Sequence, residues 1–471
     1  MNLLDLPPEI LLIIVSFLDR EHDIHVLTLT NRTLYTLANP HLYTNNARHH
    51  NSSALLWAAE HNKQPTADLS LRHGGNINTA DDDGRTPLFW ATWEGHDDLA
   101  RFLLRTANDK IDINGQENRG LTPLNYACMK GSVEIVRMLL ETGNADVNTP
   151  ENGGLTPLGS AAQIGNIPIV TMLLATEGVN VNAVDSIFAR APICLAADCG
   201  YADVVRLLLE TGKVDLDHNW AVQASFFWAV DRGFDGVVRL LLQTGKVDVS
   251  ATFTSRGASA LCQAARNGRV AIVKMFIESA FDNGGDGSEA EGARFDVRDE
   301  SCRRTALGWA AHGGYADVIE VLLATGRVDI DSRDGGGQTP LSLAAQYGHT
   351  RVVRMLLEAE KKGLGAVDVD SRSNNGRTPL SLAAQGGWHA VVNLLLETGK
   401  VDVDAADSEH SRTPLSWAAG NGHFEVVMML LATGRVDVGS RDGEFHRTPL
   451  EWAAERGYDA VVELLEEQDR T

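Results

Sequence analysis

Cysteine is scarce in this chain, with five residues among 471 and no CxxC pair. An odd number of scattered cysteines argues against a disulfide framework, and the missing CxxC pairs argue against a zinc ribbon. We therefore expect the chain to reside in a reducing compartment, the cytoplasm, with the nucleus as the alternative. The five residues are Cys128, Cys194, Cys199, Cys262 and Cys302.

Long apolar runs are also lacking. The most apolar segment covers nine residues, from Ile10 to Leu18, of which only Ser16 is polar. A helix that crosses a bilayer needs roughly 20 apolar residues. No basic residue precedes the run, and Glu9 and Asp19 flank it where a secretion signal would carry small residues. We therefore expect neither a membrane span nor a secretion signal here.

Positive charge is in deficit. Lys and Arg number 41 against 63 Asp and Glu, which gives a formal net charge of −22, and no run of five basic residues occurs. A chain of this charge repels phosphate backbones and anionic lipid surfaces on average. Nucleic acids and membranes are therefore not expected partners. The hydrophobic content of 44% and the length predict a folded protein with several domains or a repeat array.

Signatures of catalysis and of cofactor binding are missing as well. The Asp-rich stretch at residues 78–84 lacks the ligand spacing and closing Glu of a calcium loop. The Thr-Gly-Lys at residues 211–213 lacks the upstream glycine, and the Ser or Thr after Lys, of a phosphate-binding loop. No Ser-His-Asp or Cys-His set recurs in a shared context. We therefore expect no catalytic residues, no cofactor and no metal site.

What the chain does contain is one unit copied many times. Residues 377–404 read RTPLSLAAQGGWHAVVNLLLETGKVDVD, and residues 412–439 read RTPLSWAAGNGHFEVVMMLLATGRVDVG. The leucine of the TPL motif, or its equivalent, marks twelve units that are mostly spaced by 33 to 36 residues. The marker positions are Leu55, Leu88, Leu124, Leu158, Ile193, Phe226, Leu261, Leu307, Leu341, Leu380, Leu415 and Leu450.

Each unit is predicted to form a helix pair and a hairpin tip. Thr378 can cap a first helix, proline is tolerated directly after it, and Gly387 can end that helix. Small residues let neighbouring first helices approach closely. A second helix with apolar residues at helical spacing ends near Gly399, and the alternating VDVD predicts an extended arm. Because one such unit cannot bury its apolar faces alone, the units must stack into an α-solenoid.

The pattern TPL-x-x-AA, then G-x-x-x-VV-x-LL, then V-D-V resembles the ankyrin repeat over residues 51–471. The resemblance implies an all-α fold of about twelve helix pairs with hairpin tips. Insertions near residues 281–296 and 360–366 are expected to be surface loops, and the unit around Phe226, which lacks Thr and Pro, is expected to be less regular. The histidine that usually follows TPL is often serine, at Ser342, Ser381 and Ser416.

The two residues before the glycine between the helices differ from unit to unit. In ankyrin repeats this position faces the concave side, where protein partners bind, so the resemblance implies an unknown protein target there. A series of aromatic residues shares another position with Leu343 and Leu382, and we interpret it as apolar filler in preference to a binding stripe. The candidate target-binding residues are Trp93, Glu94, Met129, Lys130, Asp231, Arg232, Arg266, Gln346 and Tyr347.

Residues 1–46 do not match the repeat. A helix at residues 10–18 would be apolar around most of its circumference, and so small a unit cannot cover it, which predicts a partner. Leu6-Pro7-Pro8-Glu9-Ile10-Leu11, followed by Ile14, Leu18, Leu27 and Leu34, resembles the F-box, a three-helix unit. This resemblance implies docking on the Skp-type adaptor of a cullin-RING ubiquitin ligase. The implied contacts are Leu6, Pro7, Pro8, Ile10, Leu11 and Ile14.

Together these features predict a non-catalytic substrate receptor of an SCF-type ubiquitin ligase, monomeric outside its complex. The F-box would bind the adaptor, and the ankyrin array would bind the target. The alternative is an ankyrin scaffold in which the N-terminal helices only cap the array.

Overall fold

The computed structural model describes residues 6–16, 29, 32–107, 110–217, 220–249, 257–282 and 295–469. These residues form 26 helices and no strand, which confirms the all-α fold. Residues 17–28, 30 and 31 of the predicted three-helix N-terminal unit lie outside the described residues. They include Leu18 and Leu27, and residues 283–294 of the first insertion lie outside as well. The chain divides into two compact units, Met1–Ser225 and Phe226–Thr471, called unit 1 and unit 2 below.

None of the helices in these described ranges is both long enough and apolar enough to span a membrane.

Unit 1 begins with two helices that precede the repeats, α1 (Pro8–Ser16) and α2 (Arg32–His49). Five helix pairs follow, and in each pair the first helix packs against the first helix of the next repeat or against its own second helix. The pairs are Ser53–Glu60 with Gln64–Arg72, Pro87–Glu94 with Asp97–Ala107, Pro123–Lys130 with Val133–Glu141, Pro157–Ile164 with Ile167–Ala175, and Pro192–Asp198 with Ala202–Glu210.

The boundary between the units falls inside a helix, Trp220–Arg232, which is the first helix of the sixth pair. The total of twelve helix pairs agrees with the twelve marker positions in the sequence. The remaining helices are Asp235–Gln243, Ala260–Arg266 with Val270–Asp282, Ala306–Gly313 with Ala316–Ala324, Pro340–Gln346 with Thr350–Lys361, Pro379–Gly386 with His389–Glu397, Pro414–Gly420 with Phe424–Leu431, and Pro449–Glu455 with Asp459–Asp469.

The predicted threonine cap of the first helix is confirmed at Thr378. The backbone N–H of Ser381 donates to the Thr378 Oγ1 at 3.2 Å, which satisfies one of the unpaired N–H groups at the helix start. Gly387, with φ of 72°, ends the same helix in the left-handed conformation that glycine adopts without strain. Ala383 and Ala384 are fully buried, because neighbouring first helices meet there.

Two irregular repeats show what happens when these signals change. The helix Trp220–Arg232 has 13 residues, whereas the capped helix Pro379–Gly386 has 8. No Thr-Pro pair fixes its start near Phe226, so the helix begins earlier. The insertion at 360–366 is partly helical, because the second helix Thr350–Lys361 continues into it before the chain turns.

In unit 1, asparagine side chains join the tips of consecutive repeats. The Asn78 Oδ1 accepts from the backbone N–H of Asp112 at 2.8 Å, and the Asn78 Nδ2 donates to the carbonyl of Lys110 at 2.8 Å. The side-chain amide of Asn78 thus pairs with one backbone donor and one backbone acceptor of the next repeat. The extended arms of the two repeats are joined in this way, without strand pairing. The same two bonds to the next repeat are made by Asn114, Asn148 and Asn182.

In unit 2, aspartates occupy this ladder position. The Asp370 Oδ2 accepts from the backbone N–H of Asp402 at 2.9 Å, but the Asp370 Oδ1 is buried without a hydrogen-bond partner among the described residues. Burial raises the pKa of the Asp370 carboxyl, and the negative charge of Asp402 raises it further. The same arrangement, with the same direction of pKa shift, is found at Asp331 and Asp404.

Candidate protein-binding surfaces

Helix α1 buries one apolar face and exposes another. Leu11, which is 3% exposed, and Val15 are buried, and Val15 packs against Ala38 and Leu42 of α2. On the other side, Ile10 is 42% exposed and Ile13 is 51% exposed. These two exposed side chains form an apolar patch on α1.

The predicted adaptor contacts fall into three groups in the structure. Pro7, Pro8 and Ile10 are exposed, and Leu6 and Ile14 are half-buried. Leu11 faces the interior and adds no exposed surface. Ile13 was not among the predicted contacts, although it follows Ile10 by three residues and therefore shares its side of the helix. Whether these residues contact an adaptor stays a prediction.

The C-terminal end of α2 is joined to the first helix pair. The buried Asn46 side chain accepts from the backbone N–H of Ala54 at 3.1 Å and donates to the Ser53 Oγ at 2.8 Å. The Ser52 Oγ in turn accepts from the backbone N–H of Asn76 at 2.9 Å. Tyr43 stacks on His73, with the ring centroids 6.5 Å apart. Helix α2 therefore packs on the end of the repeat array and, within unit 1, positions α1 relative to it.

Two predicted target-binding positions meet in an aromatic cluster of unit 1. Trp93 stacks on Tyr126 with the ring centroids 4.5 Å apart and the planes 10° from parallel. The Arg85 guanidinium lies 5.1 Å from the Trp93 ring, and the Lys130 ammonium lies 5.6 Å from the Tyr126 ring. Trp93 is half-buried, whereas Lys130, Met129 and Glu94 are exposed. This end of the first helices thus presents aromatic and cationic groups to a partner.

The aromatic series has a polar function that the sequence did not reveal. In unit 2, the indole N–H of Trp452 donates to Asp442 at 2.9 Å, and that of Trp309 donates to Asp299 at 2.8 Å. These carboxylates lie in the tips and also accept backbone N–H groups, so each indole ties a tip to its first helix. An aspartate about ten residues before the tryptophan is the signal that could have been noticed. Equivalent bonds join Trp90 to Asp81 and Trp417 to Asp407.

Asp231 is held inside a network of unit 2 and is not a free acid. Its carboxylate accepts from the Gln263 side chain and, at 2.8 Å, from the Asn267 side chain. Its backbone carbonyl accepts from the Arg269 guanidinium at 3.2 Å. Arg232, the next predicted position, is exposed and lies 5.8 Å from the Trp228 ring.

Three further predicted positions lie in unit 2, Arg266 on one repeat and Gln346 and Tyr347 on the next repeat but one. The Arg266 guanidinium stacks on Trp309 at 4.7 Å, and His312 lies between Trp309 and Tyr347, with its ring centroid 4.6 Å from that of Tyr347. Burial lowers the pKa of His312, and the positive charge of Arg304 lowers it further. Tyr347 is 43% exposed, and Gln346 is half-buried with its carbonyl accepting from the indole N–H of Trp388.

The histidines that follow the glycine between helices have a structural role. A ring nitrogen of His349 lies 3.0 Å from the carbonyl oxygen of His312 in the preceding repeat, and that of His423 lies 2.9 Å from the carbonyl oxygen of Gln385. His96 makes the equivalent contact with Glu60 at 3.1 Å. Within the described ranges, no group of His, Cys, Asp and Glu is arranged to hold a metal ion.

The fold and these surfaces define a class of protein, the helical repeat proteins that bind other proteins. Comparison with known protein families supports this class. The family described as "Ankyrin repeats (3 copies)" matches in overlapping segments across residues 28–470, and the family described as "F-box-like" matches residues 3–49. The chain belongs to the ankyrin repeat family and carries an F-box-like domain at its N-terminus. Both domains are non-catalytic interaction modules.

Individual relatives match over short segments. The 26S proteasome non-ATPase regulatory subunit 10 of Dictyostelium discoideum is 40% identical over 70 residues, which cover 15% of this chain and 30% of that protein. Ankyrin repeat domain-containing protein 29 of Homo sapiens is 41% identical over 64 residues, 14% of this chain and 21% of that protein. Inversin of Danio rerio is 46% identical over 65 residues, 13% of this chain and 6% of that protein.

Proposed function

We propose that this protein is a substrate receptor of an SCF-type cullin-RING ubiquitin ligase. In this proposal α1 docks on the Skp-type adaptor, and the ankyrin repeats hold the protein that is to be ubiquitylated. The observation that carries the proposal is the exposed apolar face of α1 at Ile10 and Ile13, in a segment that matches the F-box-like family. Exposed apolar surface of this kind is covered when a partner binds.

Helix α2 supports this proposal mechanically. Its buried Asn46 and its contacts with the first repeat make α2 and the start of the array one packed structure. A target held on the repeats of unit 1 would therefore be carried at a defined position relative to the adaptor. Such positioning is what a ubiquitin ligase requires, because the transferring enzyme must reach a lysine of the target.

Capture of the full-length chain by a purified Skp-type adaptor tests the proposal. Ile10→Asp and Ile13→Asp place a charge on the exposed face of α1, and each is expected to weaken capture at least about tenfold. Ile167→Asp is the matched control, because Ile167 is also 42% exposed but lies on a second helix of the array. Failure of the wild-type chain to bind the adaptor, or equal loss in the control, contradicts the proposal.

The scaffold alternative is favoured by one observation, the contacts of α2 with the first repeat. If the N-terminal helices only cap the array, removal of residues 1–46 should strongly lower the stability of unit 1 and leave every partner of the protein bound. If α1 docks the adaptor, the same truncation abolishes adaptor capture while target binding persists. The two readouts, thermal unfolding and adaptor capture, separate the alternatives.

A further inference from the structure

Guanidinium groups stacked on tryptophan rings in unit 2 differ in how their charge is balanced. Arg304 pairs with Asp334 at 2.9 Å, and Arg447 pairs with Glu455. Four more, stacked on Trp309, Trp417 and Trp452, have no ion pair with a carboxylate among the described residues. These four, which we call the arginine stripe, are Arg266 on Trp309, Arg377 and Arg412 on Trp417, and Arg456 on Trp452.

The hydrogen bonds of the arginine stripe go to neutral acceptors. Arg377 donates to the Gln385 side chain at 2.8 Å, Arg412 to the Ser416 carbonyl at 2.7 Å, and Arg456 to the Gly420 carbonyl at 2.7 Å. The Arg266 guanidinium makes no hydrogen bond within the described chain, and its contact is the Trp309 ring. The positive charge of these groups is therefore not neutralised by contact.

The carboxylates whose charge acts on Arg377 and Arg412 accept hydrogen bonds from other groups. Asp407 accepts from the Trp417 indole at 2.8 Å and from the backbone N–H of His410 at 2.7 Å. Asp442 accepts from the Trp452 indole at 2.9 Å and from backbone N–H groups of its own turn. Burial lowers the pKa of Arg412 to about 10, and the positive charge of the neighbouring Arg456 lowers it further. These carboxylates act on the arginine stripe at a distance, since none of them forms an ion pair with it among the described residues.

Unit 1 provides an internal contrast. The two guanidinium groups that stack on aromatic rings in the described part of unit 1 are paired with carboxylates: Arg85 with Asp83 at 2.8 Å, and Arg190 with Asp185 at 2.9 Å. An arginine can therefore stack on an aromatic ring and form an ion pair with a carboxylate at the same time. Among the described residues, stacked arginines without an ion pair are found in unit 2.

We propose that the arginine stripe of unit 2 binds an acidic segment of the protein target, with Asp or Glu side chains of that segment seated on Arg266, Arg377 and Arg456. Stacking on tryptophan holds each guanidinium plane in place, so little side-chain entropy is lost when a carboxylate binds its free N–H edge. Arg412 is buried, so it attracts the acidic segment through its positive charge and does not contact it directly. This inference rests on the proposed role of the repeats as the target-binding part.

Fluorescence anisotropy with the full-length chain tests the inference. The probe is a labelled peptide in which aspartate alternates with serine, and a matching lysine peptide serves as the opposite charge. The wild-type chain is expected to bind the aspartate peptide and not the lysine peptide. Combined Arg266→Glu and Arg456→Glu should weaken binding at least about tenfold, because two charge-assisted contacts are replaced by like-charge repulsion.

Two control variants separate site binding from general charge. Arg239→Glu changes the net charge equally but lies exposed on a second helix, so its affinity should stay within about twofold of wild type. Arg266→Lys keeps the charge and loses the planar fork, and it should give an intermediate loss. Circular dichroism melts check that each variant is folded.

Several outcomes would overturn the inference. They are no binding of the aspartate peptide, equal weakening by Arg239→Glu, and binding of the lysine peptide. If a single-stranded oligonucleotide of equal charge binds more tightly through the same arginines, the ligand is a nucleic acid and not an acidic protein segment. The assay contains no adaptor, so failure of adaptor capture and failure of peptide binding are separate results.

Discussion

The Asp ladder of unit 2 leads to a stability prediction with a defined sign. Asp370→Asn replaces the buried Oδ1, which lacks a partner, with an Nδ2 group that can donate to the carbonyl of the next repeat, as Asn148 donates to Gly178 at 2.8 Å. An unsatisfied buried polar atom costs about 1–3 kcal/mol, and a new hydrogen bond contributes about 0.5–1.5 kcal/mol. Asp370 is half-buried, so solvent reduces the gain to about 1 kcal/mol at pH 7.

The gain should depend on pH. Because the folded-state pKa of Asp370 is raised above its unfolded value, the folded state binds more protons, and wild-type stability rises as the pH falls. A protonated Asp370 can itself donate the missing hydrogen bond. The advantage of Asp370→Asn is therefore expected to be largest at neutral pH and to disappear as the pH falls towards the unfolded pKa of aspartate, about 3.9.

Calorimetry of the full-length chain measures the effect. A gain of about 1 kcal/mol corresponds to a rise of about 2–4 °C in the midpoint of the unit 2 transition. Hydrogen exchange of the Asp402 amide, which donates to Asp370, reports the same change locally. The reciprocal variant Asn148→Asp in unit 1 should lose about 1–3 kcal/mol at neutral pH. A neutral or destabilising Asp370→Asn at pH 7, or a gain independent of pH, refutes the reasoning.

Three other predictions follow from single contacts. Trp452→Phe removes the indole bond to Asp442 and should lower the free energy of unfolding by about 1–2 kcal/mol in urea titrations; no loss would show that the bond is not stabilising. Asn46→Ala should destabilise the start of the array by about 1–3 kcal/mol, seen as faster amide exchange in the first repeat, and unchanged exchange would contradict this. In thiol labelling, the exposed Cys199 should react in the native protein, whereas Cys128, whose pKa is raised by complete burial, should react only on unfolding; early labelling of Cys128 would count against its burial.

Much of the fold was predictable because its signals are local. Thr378 and Gly387 specify where one first helix begins and ends, and the same residue types recur at equivalent places along the chain. The count of twelve helix pairs followed directly from this recurrence. Where the signals are missing, prediction was less exact: the helix that begins at Trp220 is longer than its repeat pattern indicates, and the helix that ends at Lys361 extends into a predicted loop.

The candidate binding surface was only partly predictable. Variation before the glycine between helices pointed to Trp93, Arg266 and Tyr347, and the structure places each of them next to another aromatic ring. It also shows that Asp231 is held by Gln263 and Asn267 of the following repeat. Contacts between repeats join residues about thirty or more positions apart, so no local pattern contains them.

The amino-acid sequence alone determined the repeat architecture, the caps of its helices and the apolar N-terminal helix, because each depends on neighbours a few residues away. Tertiary structure decided which side chains remain available to a partner. Leu11 and Ile10 are adjacent in sequence, yet one packs on α2 and the other faces outward. Likewise, Arg304 pairs with Asp334 and Arg266 has no ion pair among the described residues, because stacking of the repeats brings a carboxylate within reach of only one of them.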